Sequence, residues 1–407
     1  MKRTVQATLL RRMRAPFHPS EVLLLGPGPS PVSHRTLAAM SAPVLGHLDP
    51  EFVALMDRVQ ADLRTVFATQ NAFTVPISGT GSAGMETALV NLIEPGDRVV
   101  VGIHGVFGER MHEIASRLGA DVVAVRAAFG QPLDDTAMVA AIRGGATRLV
   151  AFVHAETSTG VLQPPAAILA AAADVGALTV LDCVTSLAGA PVDVDAWKVD
   201  AAYSGTQKCL GVPPGLSPVT FSAAALERIR RRRAKPPSWY LDVSLLGGYW
   251  GGERVYHHTA PISMVYALAA GLDDVLEEGL AARHRRHRDV ADAFHRGLDA
   301  LGLRCVVDAP LRAPMLTSIH VPDGIDDASA RRLLRQRHRI EIGGGLGPWK
   351  GRVWRVGLMG HGARIASVVR VLTAFADVLT TAGKPADLAA ALRAADPDGS
   401  AVPQPPR

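Results

Sequence analysis

The residues with the most chemical potential stand in three short segments. Ser78–Gly84 reads SGTGSAG, and its Gly79, Gly81 and Gly84 fit the spacing G-x-G-x-x-G between an apolar run and a helix-forming stretch. Backbone N–H groups at a helix N-terminus face a phosphate and the helix dipole favours it. A plain tight turn would use the same glycines. A dinucleotide site also wants an acid ~20 residues on, at the end of the next strand, and the run RVVVGI ends at Gly102–Ile103 without one. The loop therefore reads as a phosphate site and not a dinucleotide site. Asp182 closes the apolar run LTVLD, at the end of a strand where open α/β sheets place their ligands. A carboxylate there can pair with a ring nitrogen and keep it protonated, or serve as an N-cap. Lys208 ends SGTQK (204–208), 26 residues beyond Asp182 and just past another strand. Burying an ammonium is costly and depresses its pKa, and a lysine that gives up its proton easily suits Schiff-base chemistry. Alone, such a lysine would be a surface group; the phosphate loop, acid and amine together describe a site.

The elements that must position these groups alternate regularly. From Phe73, short β-branched runs (FTVPI, RVVVGI, DVVAV, RLVAFVHA, LTVLD) are separated by helical stretches, among them Ser82–Ile93 and Val106–Leu118. Near-continuous apolar strands separated by helices predict a parallel sheet covered on both faces. After Asp182 the strands come closer together, at 200–204 and 218–222. The expected organisation is an N-terminal arm over 1–20, a large α/β domain over 21–279, a smaller α+β domain over 280–382 with strands such as TSIHV and RVWRVGL, and a disordered tail over 383–407 without an apolar face.

Composition excludes several classes. The chain has 407 residues, 48% of them hydrophobic and 5% aromatic, with a net charge of +5. Basic clusters at 228–235, 283–288 and 331–339 are not interleaved with aromatics, so they read as solvated faces of helices and not as a nucleic-acid surface. Cys183, Cys209 and Cys305 form no C-x-x-C pair, which fits a reducing cytoplasm and argues against a zinc site. No stretch approaches the ~18 apolar residues that cross a bilayer, so a soluble protein is expected. The first residues, MKRTVQATLLRRMRAPF, lack the apolar run of a signal peptide and read as a surface arm.

Taken together, several segments carry a resemblance: LLLGPGPSPV (23–32), ISGTGSAGMETAL (77–89), ETSTGVLQPP (156–165), LDCVTSLAG (181–189), SGTQKCLGVPPG (204–215), WYLD (239–242), YHHTAP (256–261) and GGGLGPWKGRVWRVGLMG (343–360). With them the sequence, from about Leu24 to Thr380, resembles the class V aminotransferases of pyridoxal-phosphate fold type I, in particular the alanine–glyoxylate and serine–pyruvate (serine–glyoxylate) group. The resemblance implies an α/β fold with a mostly parallel sheet, pyridoxal 5′-phosphate as cofactor, and a homodimer with shared active sites. It implies that Lys208 carries the cofactor and moves the proton, and that Asp182 pairs with the pyridine nitrogen. Thr80, Gly81 and Ser82 would wrap the phosphate with Gln207, Phe107 would stack on the ring, and Thr157 would bond its 3-oxygen side or the substrate. Tyr256 and Thr259 would reach the phosphate of the neighbouring subunit, Arg355 would clamp the substrate carboxylate, and backbone near Gly28 would line the substrate side. In the animal members compared, tryptophan stands at the position of Phe107 and histidine at that of Ser82.

The expected reaction is ping-pong transamination between a small amino acid, alanine or serine, and a small 2-oxo acid, glyoxylate or pyruvate. Ureidoglycine–glyoxylate transamination is the alternative on the same scaffold, and Tyr256 favours the alanine/serine type. More distant alternatives are a desulfurase or kynureninase of the same fold, and a non-enzymatic nucleotide-binding module built on the glycine loop.

Overall fold

The computed structural model describes residues 19–397; the N-terminal arm expected over 1–20 lies almost wholly outside them. Seven strands make the central sheet, in the order Phe73–Ser78, Leu216–Phe221, Ala201–Tyr203, Leu178–Asp182, Thr147–Val153, Arg98–Ile103 and Asp121–Arg126. The last five run parallel, and Leu216–Phe221 is antiparallel to both neighbours. Two reversals restore direction, so Phe73–Ser78 points the same way as those five. Ser78, Ile103, Val153, Asp182 and Tyr203 consequently end at one edge. The mostly parallel sheet is the one the apolar runs predicted. Both faces of its middle strands are covered, and Val99, Val100, Val101, Val150, Ala151 and Phe152 are buried, as a parallel sheet requires.

The helix Gly81–Leu92 lies hard against this sheet. A Cβ on Gly84 would fall 2.0 Å from Ser217 Oγ, so glycine there fixes how close the helix sits and where its N-terminus points. The helix ends under the first basic cluster: Arg232 Nη1 donates to the carbonyls of Asn91 and Ile93 at 2.9 and 2.6 Å, while Arg228 pairs with Glu94 and Asp97.

The C-terminal region sets the antiparallel strands Leu316–His320, Val353–Gly357 and Gly343–Gly344 against the helices Leu280–Ala300, Asp327–Arg337 and Ile365–Thr381. Its core holds Phe294, Phe375 and Trp354, the last two stacked with centroids 5.2 Å apart. Leu25 belongs to this core, and Leu23–Leu24 pair in parallel with Ile340–Glu341. Residues Leu23–Leu25 therefore pack with the C-terminal region, whereas the sequence assigned 21–279 to the large domain.

Two expectations are corrected. The described part of the tail expected over 383–407 is not without structure: Leu388–Ala395 is a helix whose N-cap Asp387 accepts from Ala390 N–H at 2.8 Å, and 398–407 lie outside the described residues. It buries Ala391 and Ala395, and Arg296 of the helix Leu280–Ala300 donates to its Ala394 carbonyl. An alanine stripe is apolar enough to pack closely, yet too small to register as a hydrophobic face. The cluster 283–288 is not a solvated face either. Arg283 and His287 are buried, Arg283 and Arg286 both pair with Glu278, and Arg283 Nη2 donates to the Cys209 carbonyl at 2.7 Å. These groups fasten the loop after Lys208 to the helix. Among the described residues, no helix is long and apolar enough to cross a membrane.

Candidate active site

Asp182 ends the strand Leu178–Asp182, and Lys208 follows Ala201–Tyr203 at the same sheet edge. Asp182 is buried; Oδ1 accepts from Val184 N–H and Oδ2 from the Tyr203 hydroxyl, each at 2.8 Å. Burial pushes its carboxyl up to about 7, opposed by those two donors, while the neighbouring Glu156 raises it further and Lys208 lowers it. Among the described residues Asp182 has no cationic nitrogen within ion-pair distance; Lys208 acts on it only through its charge. Lys208 is 8% exposed and its Nζ donates to the Pro27 carbonyl. Burial, with a contribution from Arg355, lowers its ammonium to about 8 from 10.5. At neutral pH that gives roughly 300 times more neutral amine than an ordinary lysine offers. Gly28 (φ +118°) is required here, since its Cβ would lie 2.7 Å from Lys208 Nζ.

The turn before the helix Gly81–Leu92 is the one the sequence expects to face a phosphate. Thr80 is the N-cap of this helix and makes no side-chain capping bond; the Ala83 N–H donates to the Thr80 carbonyl at 2.7 Å, and the N–H groups of Gly81 and Ser82 are left at the helix start. Gly79 is needed, since a Cβ there would meet that of Ala83 at 2.6 Å, while one on Gly81 would press on Val184 at 3.3 Å. Gln207 comes against Gly205 beside Gly81, with Oε1 buried and without a partner. An amide in that condition suits a polar ligand, with either end turned toward it. Ser82 Oγ accepts from Arg110 Nη1 at 3.0 Å, and the Arg110 guanidinium lies 4.9 Å from the centre of the Phe107 ring.

Arg355 stands on the strand Val353–Gly357, 6% exposed. Its Nε donates to the Gly344 carbonyl and Nη1 to the Thr157 carbonyl, each at 2.8 Å. Burial lowers it to about 10, and the charge of Glu156 partly offsets this. Among the described residues no carboxylate comes within 4 Å of it, so no internal ion pair accounts for this buried arginine. Thr157 Oγ1 lies 2.5 Å from Thr185 Oγ1, which ties the Arg355 side of the site to the Asp182 loop.

The structure thus brings together Gly28, Thr80, Gly81, Ser82, Phe107, Thr157, Asp182, Gln207, Lys208 and Arg355. It leaves Tyr256 and Thr259 apart, exposed on the loop 251–261, where the Tyr256 ring faces His47 at 5.0 Å. Sequence reasoning missed Tyr203, the Pro27 carbonyl, Glu156, Ser158 and Arg110. Of these only Glu156 carried a signal, as an acid inside an otherwise apolar and small-residue segment.

The model of the family Aminotransferase class-V matches residues 31–353. The chain belongs to the class V aminotransferases. An alanine–glyoxylate aminotransferase of Drosophila melanogaster is 40% identical over 366 residues, covering 89% of this chain and 93% of that protein. Among solved structures, an alanine–glyoxylate aminotransferase from Nostoc sp. superposes with a TM-score of 0.88 at 46% identity, covering 89% of this chain and 97% of that one. A ureidoglycine–glyoxylate aminotransferase from Bacillus subtilis gives 0.92 at 40% identity, covering 94% and 98%. Class V aminotransferases are pyridoxal-phosphate-dependent as a family, and this transaminase has the mixed α/β architecture of its structural neighbours.

Proposed function

We propose that this transaminase holds pyridoxal 5′-phosphate on Lys208 and moves an amino group from alanine or serine to glyoxylate or pyruvate. The observation that carries the reading is that a buried carboxylate, Asp182, and a buried amine, Lys208, stand at the same edge of the parallel sheet, the amine lowered by burial. The residues fit the cofactor: the uncapped helix N-terminus and Gln207 suit its phosphate, and Asp182 suits a protonated ring nitrogen. When bound, the cofactor supplies an electron sink that acidifies the substrate Cα–H. Arg355 then holds the substrate carboxylate through its fork. The Phe107 ring would lie against the ring of the bound cofactor, and Lys208 Nζ would take the Cα proton and return it to the carbon that receives the amino group. The Pro27 carbonyl and Gly28 confine that amine on the substrate side.

The two subunits of a homodimer would complete each site, with Tyr256 and Thr259 reaching the partner's phosphate. The exposure of Val44, Trp239, Val255 and Tyr256, large apolar side chains left uncovered in one chain, supports this reading. Unpaired Cys183, Cys209 and Cys305 suit the reducing cytoplasm. Burial pushes the Cys183 thiol well up and that of Cys209 to about 11, so neither offers the thiolate that desulfurase chemistry needs.

Ureidoglycine as amino donor is the second reading, favoured by the Bacillus subtilis structure. A panel of donors against glyoxylate and pyruvate separates the two. Alanine or serine with glyoxylate giving the highest kcat/KM upholds the first reading; ureidoglycine leading by a wide margin replaces it.

A further inference from the structure

The helix Val106–Arg117 carries Phe107 in its first turn, and its own N-cap, Gly105, supplies no side-chain capping bond. The cap comes from a distant segment. Phe107 N–H donates to Glu156 Oε2 at 3.1 Å, and the Gly108 N–H faces the same carboxylate. Val106 N–H donates to Ser158 Oγ at 2.9 Å. That hydroxyl in turn donates to Glu156 Oε1 at 2.6 Å, and Ser158 N–H donates to Oε1 at 2.9 Å. Gly105 leaves room for this arrangement, since a Cβ there would lie 2.3 Å from Glu156 Cγ. Burial raises this carboxyl above its ordinary value, and the hydrogen bonds from Ser158, Phe107 and Gly108 work against that; since all these partners are donors, the geometry favours the carboxylate. An anion at a helix N-terminus is stabilised by the free N–H groups and the dipole.

We propose that Glu156, seated by Ser158, is a positioning residue of the transaminase. As a carboxylate it caps, from outside, the helix that presents Phe107. The carbonyl of the next residue, Thr157, takes Arg355 Nη1, so one short segment sets both the aromatic platform and the carboxylate clamp. This role rests on the transaminase reading of the site.

The test is a double-mutant cycle between Glu156→Gln and Phe107→Leu, read by cofactor dissociation constant, visible circular dichroism of the bound cofactor, and kcat and KM. Glutamine keeps the shape but loses the charge and turns an NH₂ toward N–H donors. Alone, Glu156→Gln weakens pyridoxal 5′-phosphate binding about tenfold, the size of a lost helix cap, and diminishes the dichroism. In the Phe107→Leu background it changes binding by less than about twofold, because the ring it positions is gone. Ser158→Ala, which keeps the charge, shifts the same readouts less in the same direction and carries the cycle if Glu156→Gln fails to fold. Full additivity with Phe107→Leu, or unchanged dichroism and binding in Glu156→Gln, overturns the role. Wild-type protein that takes up no cofactor overturns the transaminase reading and this role with it; normal uptake with an additive cycle overturns this role alone.

Discussion

Replacing Arg355 with lysine tests how the site holds a carboxylate. The guanidinium is pinned at two nitrogens, Nε on the Gly344 carbonyl and Nη1 on the Thr157 carbonyl, both at 2.8 Å. Its orientation is therefore set before any substrate arrives, and Nη2 has no protein partner among the described residues. A lysine ammonium has three donors on a flexible stem and cannot satisfy both carbonyls while meeting a carboxylate edge-on. The variant keeps the positive charge and forfeits one charge-assisted hydrogen bond and its alignment, about 1.5–3 kcal/mol. That corresponds to a fall of roughly 10–150-fold in kcat/KM.

The loss divides in a specific way. The clamp grips amino donor and oxo acceptor alike, so KM rises for both half-reactions, and kcat falls because Cα–H is no longer held toward Lys208 Nζ. Steady-state kinetics with alanine and glyoxylate, each varied in turn, measures this, and absorbance of the bound cofactor serves as control. Cofactor content stays at the wild-type level, since the hydrogen bonds of Arg355 go to the Gly344 and Thr157 carbonyls and not to the Thr80–Gly81 turn. Wild-type KM values for alanine, serine and glyoxylate would refute the reasoning and put the carboxylate elsewhere. Loss of cofactor would show that Arg355 is a structural tie.

Asp182→Asn slows turnover by about 10²–10³ while stabilising the cofactor-free protein. Asp182 is raised from its ordinary 3.8 to about 7, so folded-state stability falls as pH climbs through that window and the cost is complete above it. Removing the charge recovers up to about 4 kcal/mol at pH 8; urea midpoints lower than wild type there would contradict this. Lys208→Met also stabilises the cofactor-free protein, with the opposite pH trend. The amine is lowered from 10.5 to about 8, the unfolded chain holds the extra proton between those values, and wild type gains up to about 3 kcal/mol as pH rises through them. The variant's lead should narrow from pH 8 to pH 10, and a constant lead would count against a buried, titrating amine. Inactive Lys208→Ala and Tyr256→Phe proteins, mixed and allowed to exchange subunits, recover activity if sites are shared; an active monomer by sedimentation would end that idea.

The parallel sheet was legible because its strands are buried on both faces and so read as unbroken aliphatic runs, as Val99–Val101 and Leu149–Val153 do. Lys208 and Asp182 were legible because a charged residue directly after such a run has few structural reasons to be there. The partners that tune them were not. Tyr203 and the Pro27 carbonyl act through contacts across 21 and 181 residues of sequence and leave no local pattern; Glu156 stands out as an acid among small and apolar residues, but the helix it caps, 49 residues upstream, does not show in the sequence. The cluster 283–288 misled for the same reason: Arg283 looks like surface until the Cys209 carbonyl, 74 residues away, is brought to it.

The central claim is that Lys208 is the amine that holds the cofactor. The direct measurement is to load the protein with pyridoxal 5′-phosphate, reduce it with borohydride, digest it, and locate the added mass among the peptides. The account predicts one reduced cofactor per chain on the peptide that contains Lys208, and none on peptides carrying Lys198, Lys235, Lys350 or Lys384. Stoichiometric label on any of those other lysines, or label that persists in Lys208→Ala, would contradict it.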